Sequence, residues 1–119
     1  MKRLDSTPKK DGFRMPGEFE PHRGSYIIWP ERPDNWRLGG KPAQHVFLEV
    51  IKKISKYEPI TVCVSREQYS NVLNLIPTNG NVRVVEMSKN DSWIRDCGAT
   101  FVVNDKGALR GIDWTFNAW

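Results

Sequence analysis

The sequence predicts an α/β fold, because short apolar runs typical of strands alternate with segments of helical periodicity. The chain has 119 residues, of which 39% are hydrophobic and 27% charged. This composition is typical of one folded domain and excludes a disordered chain. The formal net charge is only +4, and the basic residues are scattered. That distribution argues against a nucleic-acid partner, and the lack of a long apolar run argues against a membrane partner.

The first elements are an irregular arm and a buried strand. Residues 1–18 are charged and interrupted by Gly and Pro, which predicts an arm ahead of an α/β portion over residues 19–119. We expect Phe13 and Phe19 to pin this region to the body. Residues 25–29 are apolar nearly throughout, as in a strand covered on both faces. Pro30 ends the strand, and the loop over 31–40 is rich in turn formers.

Capping residues and helical periodicity predict two helices. Pro42 suits the first position of a helix, where its missing N–H costs nothing. Ser65, with Gln68 three residues later, predicts a capping box at the start of a second helix, and Pro77 ends that helix. The first helix should lie on the sheet through apolar residues at helical spacing, which are Val46, Phe47, Val50, Ile51 and Ile54.

Four further strands are predicted from apolar runs between turn residues. They cover residues 60–64, 82–86, 100–103 and 109–114, and the last two form a hairpin around a turn at 104–107. Residues 113–119 are strand-like and aromatic, with no polar tail after them. Because a strand of this kind needs a neighbour, we expect the chain to be a piece of a longer protein.

The richest chemistry lies in Asn90-Asp91-Ser92-Trp93-Ile94-Arg95-Asp96-Cys97-Gly98, between two predicted strands. Asp96 offers two oxygens that match a planar guanidinium, and an indole such as Trp93 attracts a cation to its face. The alternative is structural: Asp96 pairs with Arg95 or caps the backbone, and Trp93 is a core residue.

For the remaining reactive side chains, the sequence context indicates a packing role rather than a catalytic one. Cys97 lies beside Asp96, whose negative charge disfavours the thiolate, so we expect Cys97 to be buried packing. Cys63 lies in an apolar strand, where a buried, inert thiol is expected. His22 and His45 never approach the cysteines at metal-ligand spacing, and no phosphate-binding glycine motif is present. The sequence therefore predicts no metal site and no phosphate-binding loop.

Four segments, taken together and in order, resemble the agmatine deiminases, a branch of the guanidine-modifying, peptidylarginine-deiminase-like superfamily. One departure is Ala99, where the family tends to have Pro after Cys-Gly. The segments are Asp11-Gly12-Phe13-Arg14-Met15-Pro16-Gly17-Glu18-Phe19-Glu20, residues 29–37 from Trp29-Pro30 to Trp36-Arg37, residues 90–98, and Asp113-Trp114-Thr115-Phe116-Asn117-Ala118-Trp119.

The resemblance implies a five-bladed α/β propeller, of which this chain would form about one blade and part of the next. It implies a cofactor-free hydrolase of putrescine biosynthesis, which converts agmatine to N-carbamoylputrescine and ammonia through a covalent cysteine intermediate. It is compatible with a homo-oligomeric state of the full-length enzyme. The two lone cysteines, neither in a CxxC pair, favour a reducing, cytoplasmic setting.

The same resemblance assigns a substrate-binding role to two residues of this chain. Asp96 matches one of the two guanidinium-binding aspartates, and Trp93 matches the aromatic beside the substrate. The nucleophilic Cys and the proton-transferring His and Glu belong to later parts of the family's chain, so the isolated chain is expected to be inactive. The alternative is a stand-alone, non-catalytic α/β module that binds a cationic guanidinium ligand.

Overall fold

The computed structural model describes residues 4–77, 79–87 and 89–115, which fold into two compact units. The larger unit is His22–Ile94, and the smaller unit combines the segment up to Pro21 with the segment from Arg95. The larger unit holds, in chain order, β1 (Ser25–Ile28), α1 (Lys41–Ile54), β2 (Ile60–Val64), α2 (Arg66–Leu75) and β3 (Val82–Glu86).

The larger unit is built on a three-stranded parallel sheet with β2 in the centre. Parallel neighbours need a crossover, and α1 and α2 supply the two crossovers. The predicted α/β class is therefore confirmed. The bounds of β2 and β3 agree with prediction, whereas β1 ends at Ile28, one residue early. The backbone N–H of Trp29 nevertheless donates to the Cys63 carbonyl at 2.9 Å, so the ladder continues past the strand.

The core of this unit surrounds the central strand. Both faces of β2 are covered, which explains its unbroken apolar sequence. Cys63 is buried, as predicted. Five apolar residues of α1 were expected to pack on the sheet, but two of them, Val46 and Val50, are exposed. The stripe that packs inward is centred on Ile51 instead. The fully buried cluster consists of Trp29, Ile51, Ile60, Val62, Val64 and Val72.

The start of α2 confirms the predicted cap in part. The Ser65 hydroxyl accepts from the backbone N–H of Gln68 at 3.3 Å, as an N-cap should. The Gln68 side chain does not complete the reciprocal box; its Oε1 accepts from Asn71 at 3.0 Å instead. The helix ends at Leu75, two residues before Pro77.

The smaller unit contains α3 (Ile94–Cys97), which starts at the last residue of the larger unit, and the antiparallel hairpin of β4 (Thr100–Val103) and β5 (Leu109–Ile112). The predicted hairpin is confirmed, although its second strand is two residues shorter than expected. Residues 113–115 have no regular structure, and the rest of the predicted terminal strand lies outside the described residues.

The segment before Pro21 joins this hairpin. Arg14 exchanges backbone hydrogen bonds of 2.8 Å in both directions with Val103. Phe13 is buried beneath Arg110, whose guanidinium carbon lies 3.9 Å from the ring centroid. Phe19, in contrast, is 95% exposed and pins nothing, which corrects our expectation. Bidentate hydrogen bonds from Arg14 lower the pKa of Glu20 to about 2.

Candidate functional site

The carboxyl ends of the parallel strands in the larger unit form the place where open α/β sheets usually bind ligands. The loop over residues 31–40 leaves β1 at this edge, and the segment over 87–93 leaves β3 there. Ser65 follows β2 at the same edge. The polar and aromatic residues of these connections therefore converge although they lie far apart in sequence.

A buried ion pair joins the three strand ends. The Lys89 Nζ lies 2.6 Å from Glu31 Oε1 and 2.8 Å from the Trp29 carbonyl oxygen. The other carboxylate oxygen of Glu31 accepts from the Ser65 hydroxyl at 2.9 Å. The Lys89 and Glu31 side chains are only 6% and 18% exposed. Each charge is thus compensated by a partner and by further hydrogen bonds, as a buried pair requires.

A second set of hydrogen bonds ties the loop after β1 to the segment before Trp93. Arg32 Nη1 donates to the backbone oxygen of Asn90 at 2.6 Å and to its side-chain oxygen at 3.1 Å. Asn35 Nδ2 donates to Asp91 Oδ2 at 3.0 Å. Arg32 also hydrogen-bonds Asp34, which lowers the pKa of Asp34 below its ordinary value. Asp34 is therefore ionised at neutral pH and helps to hold Arg32 in place.

Trp93 stands at the end of this tied segment and is 53% exposed. Its ring lies against Trp36, with centroids 5.9 Å apart and planes inclined by 35°. Trp36 meets Phe47 of α1 edge to face, at 6.3 Å and 79°. The alternative that Trp93 is a core residue is therefore wrong. About half of the residue is exposed to solvent.

Asp96 lies on α3 in the smaller unit and is exposed. Arg95 pairs with the exposed Glu18, which does not favour the structural alternative of an Asp96–Arg95 pair. Cys97 is exposed as well, so the expectation that it is buried packing is wrong. The physical reason is that α3 is a four-residue helix with no buried residue. Trp93 belongs to the larger unit and Asp96 to the smaller one, and their joint action on a ligand stays a prediction.

Sequence reasoning missed Trp36, Glu31 and Lys89. The available signal was the single large aromatic in a loop of turn formers directly after a buried strand. The ion pair left no local signal, because its two members are 58 residues apart.

Across residues 4–77, 79–87 and 89–115, no group of three or more His, Cys, Asp or Glu side chains could hold a metal ion. In the same ranges, no helix has the length and apolar character to cross a membrane.

The family model described as Porphyromonas-type peptidyl-arginine deiminase matches residues 14–119, and the chain belongs to this family. A protein of Latilactobacillus sakei is 62% identical over all 119 residues, which make up 32% of its own length. The agmatine deiminase of Pseudomonas aeruginosa strain LESB58 is 59% identical over 114 residues, covering 96% of this chain and 31% of that protein.

A solved structure shows the same fold over the whole chain. The agmatine deiminase of Enterococcus faecalis, described as catalysing its reaction, superposes with a TM-score of 0.94 at 57% identity. The match covers 100% of this chain and 32% of that one. The chain therefore spans about a third of the length of the relatives that it matches.

The Lys89–Glu31 pair should contribute to the free energy of unfolding. Replacing Lys89 with Met should lower the free energy of unfolding by about 3 kcal/mol, because Glu31 would stay buried without its cation. Adding Glu31→Gln to that variant should recover part of the loss, since a neutral amide is cheaper to bury. Urea unfolding followed by intrinsic fluorescence measures both effects.

The matched control is Lys52→Met, which breaks the exposed Lys52–Glu49 pair. Exposed pairs of this spacing contribute little, so the loss should stay below about 0.5 kcal/mol. Equal losses for Lys52→Met and Lys89→Met would contradict the role given to the buried pair.

Proposed function

We propose that this chain is the N-terminal part of an agmatine deiminase, which hydrolyses agmatine to N-carbamoylputrescine and ammonia. The observation that carries the proposal is the half-exposed Trp93. It is held by the tied loops at the carboxyl end of a parallel sheet, three residues before the exposed Asp96. Family membership and relatives named agmatine deiminases support the same reading.

The two residues would hold the guanidinium of the substrate in complementary ways. The carboxylate of Asp96 would accept two parallel N–H bonds from its edge. The indole of Trp93 would lie against its face, an attraction of about 0.5–2 kcal/mol that increases as water is excluded. Together these contacts fix the plane of the guanidinium, so that its central carbon is presented to an attacking group from one side.

The reacting groups are proposed to lie in the rest of the protein. A cysteine thiolate there would attack the guanidinium carbon, and the resulting adduct would expel ammonia to give an amidino-thioether. Water would then release N-carbamoylputrescine and restore the thiolate. A His and a Glu of the same remaining sequence would transfer the protons. No cofactor is needed, because the thiolate supplies the nucleophile.

The fold and setting proposed here follow from this assignment. The chain would supply about one blade and part of the next in a five-bladed propeller. Residues 1–18 would form an arm and residues 19–119 the α/β portion of the deiminase domain. The full-length enzyme would work in the cytoplasm, in putrescine biosynthesis, and could form a homo-oligomer.

A second candidate is a non-catalytic module that binds a cationic guanidinium ligand. It is favoured by the fact that the two proposed ligand-binding residues are present while the proposed reacting groups are assigned elsewhere.

The isolated chain distinguishes the two functions. We expect no agmatine-dependent ammonia release, because the nucleophilic Cys is assigned to the rest of the protein, and no saturable agmatine binding by calorimetry. Saturable binding would favour the module, and ammonia release that Asp96→Ala abolishes would overturn the assignment of the nucleophile.

The role of Asp96 is tested in a chimera, in which this chain replaces the matching third of the Enterococcus faecalis agmatine deiminase. Asp96→Asn removes one member of a charge-assisted pair and should cost about 2–5 kcal/mol of substrate stabilisation. That loss corresponds to a fall in kcat/KM of roughly 30-fold to several thousand-fold. Ammonia release at varied agmatine concentration measures it.

Asp105→Asn is the matched control. Asp105 is exposed in the turn between β4 and β5, so the same change of charge should leave the kinetics within about twofold. Unchanged kinetics in the Asp96→Asn chimera would remove Asp96 from the substrate site. The unaltered Enterococcus faecalis protein, assayed alongside, confirms that the assay detects the reaction.

A further inference from the structure

The contact between Trp36 and Trp93 extends the proposed site by one residue. Trp93 is half exposed, and its ring contacts the Trp36 ring at a centroid distance of 5.9 Å. This ring contact restricts the orientation that the Trp93 indole can take. The electrostatic attraction of an indole for a cation depends on that orientation, because the negative potential lies over the ring face.

Trp36 is itself firmly placed. Its ring packs edge to face on Phe47, which lies on α1. Its backbone N–H donates to the Arg32 carbonyl at 2.8 Å and closes a turn over residues 32–36. Arg32 and Asn35, both within this turn, hold the two residues Asn90 and Asp91 by side-chain hydrogen bonds. The turn that carries Trp36 thus also fixes the backbone immediately before Trp93.

The far end of the loop is anchored at the sheet edge. The Pro30 carbonyl accepts a hydrogen bond of 2.8 Å from the buried Gln44. Gly40 has φ +82°, and a Cβ there would lie 2.7 Å from the same Pro30 oxygen. Only glycine therefore permits this close approach. The loop is tied at both ends and in the middle, so Trp36 has little freedom to follow Trp93 if that ring moves.

The aromatic ring of Trp36 matters more than its N–H group. Trp36 Nε1 is buried and has no hydrogen-bond partner within the part of the chain that the structure describes. An unpaired buried donor is unfavourable, so the residue is not explained by a hydrogen bond. The ring contacts to Phe47 and Trp93 are the features that it supplies.

We propose that Trp36 is a positioning residue for agmatine binding, which acts by holding the indole of Trp93 in the orientation that receives the guanidinium. Trp36 does not touch the substrate in this proposal; it acts through Trp93 alone. The inference rests on the proposed function. It predicts that changes at Trp36 affect KM more than kcat, and that the effect requires Trp93.

The experiment is a double-mutant cycle in the chimera, with KM and kcat measured for agmatine. Trp36→Leu should raise KM about tenfold and change kcat less than threefold, since a misoriented indole loses most of the cation–π attraction. Trp36→Phe should stay within about threefold of the parent KM, because the ring contact is retained. In a Trp93→Leu background, Trp36→Leu should have no further effect on KM.

A milder variant keeps the test independent of folding. Asn35→Ala removes the hydrogen bond to Asp91 from an exposed side chain and leaves both indoles in place. It should raise KM about two- to threefold, and this increase should vanish when Trp93 is Leu. Full retention of the Trp36→Leu or Asn35→Ala effect in the Trp93→Leu background would overturn the positioning role.

The outcomes for the proposed function are separate. An inactive parent chimera beside an active Enterococcus faecalis control, or a Trp93→Leu chimera with unchanged KM, would refute the substrate site itself and the positioning role with it. A parent that is active, with Trp93→Leu raising KM and additive effects at Trp36, would refute the positioning role alone.

Discussion

The buried pair of Lys89 and Glu31 is the constraint on which the site depends. It sits where β1, β2 and β3 end, and its hydrogen bonds reach the Trp29 carbonyl and the Ser65 hydroxyl. Separating the pair would leave a largely buried charge without its partner, which is unfavourable, so the pair helps to hold the three strand ends together. The loop from β1 and the segment from β3 consequently leave the sheet from the same place. Their aromatic residues Trp36 and Trp93 meet beside these starting points.

Much of the fold could be predicted from the sequence, because each element buries its apolar residues in a regular pattern. β2 is covered on both faces and reads as an unbroken apolar run, and the hairpin is marked by the turn residues between its strands. Local patterns failed where burial is decided by distant neighbours. Val46 lies at the edge of the apolar stripe of α1 and is exposed, and Cys97 is exposed on a four-residue helix that has no buried residue.

The candidate site could be predicted from the sequence only in part. Trp93 and Asp96 stood out through the resemblance to a family, whereas their spacing alone left a structural alternative open. Trp36 could not be assigned to them, because its contact with Trp93 joins residues 57 positions apart in the sequence. No helical or strand periodicity carries information over that distance. In the proposed function the chain would contribute groups that hold and orient a cation, while the groups that would react are assigned to sequence matching the other two thirds of its relatives.

A crystal structure of the chimera with agmatine tests the proposed substrate site most directly, because it shows where the guanidinium lies. We expect a carboxylate oxygen of Asp96 at about 3 Å from a guanidinium nitrogen. We also expect the guanidinium carbon within about 6 Å of the Trp93 ring centroid, over its face. A guanidinium bound elsewhere, with Asp96 turned to water and Trp93 apart from the ligand, would contradict the account.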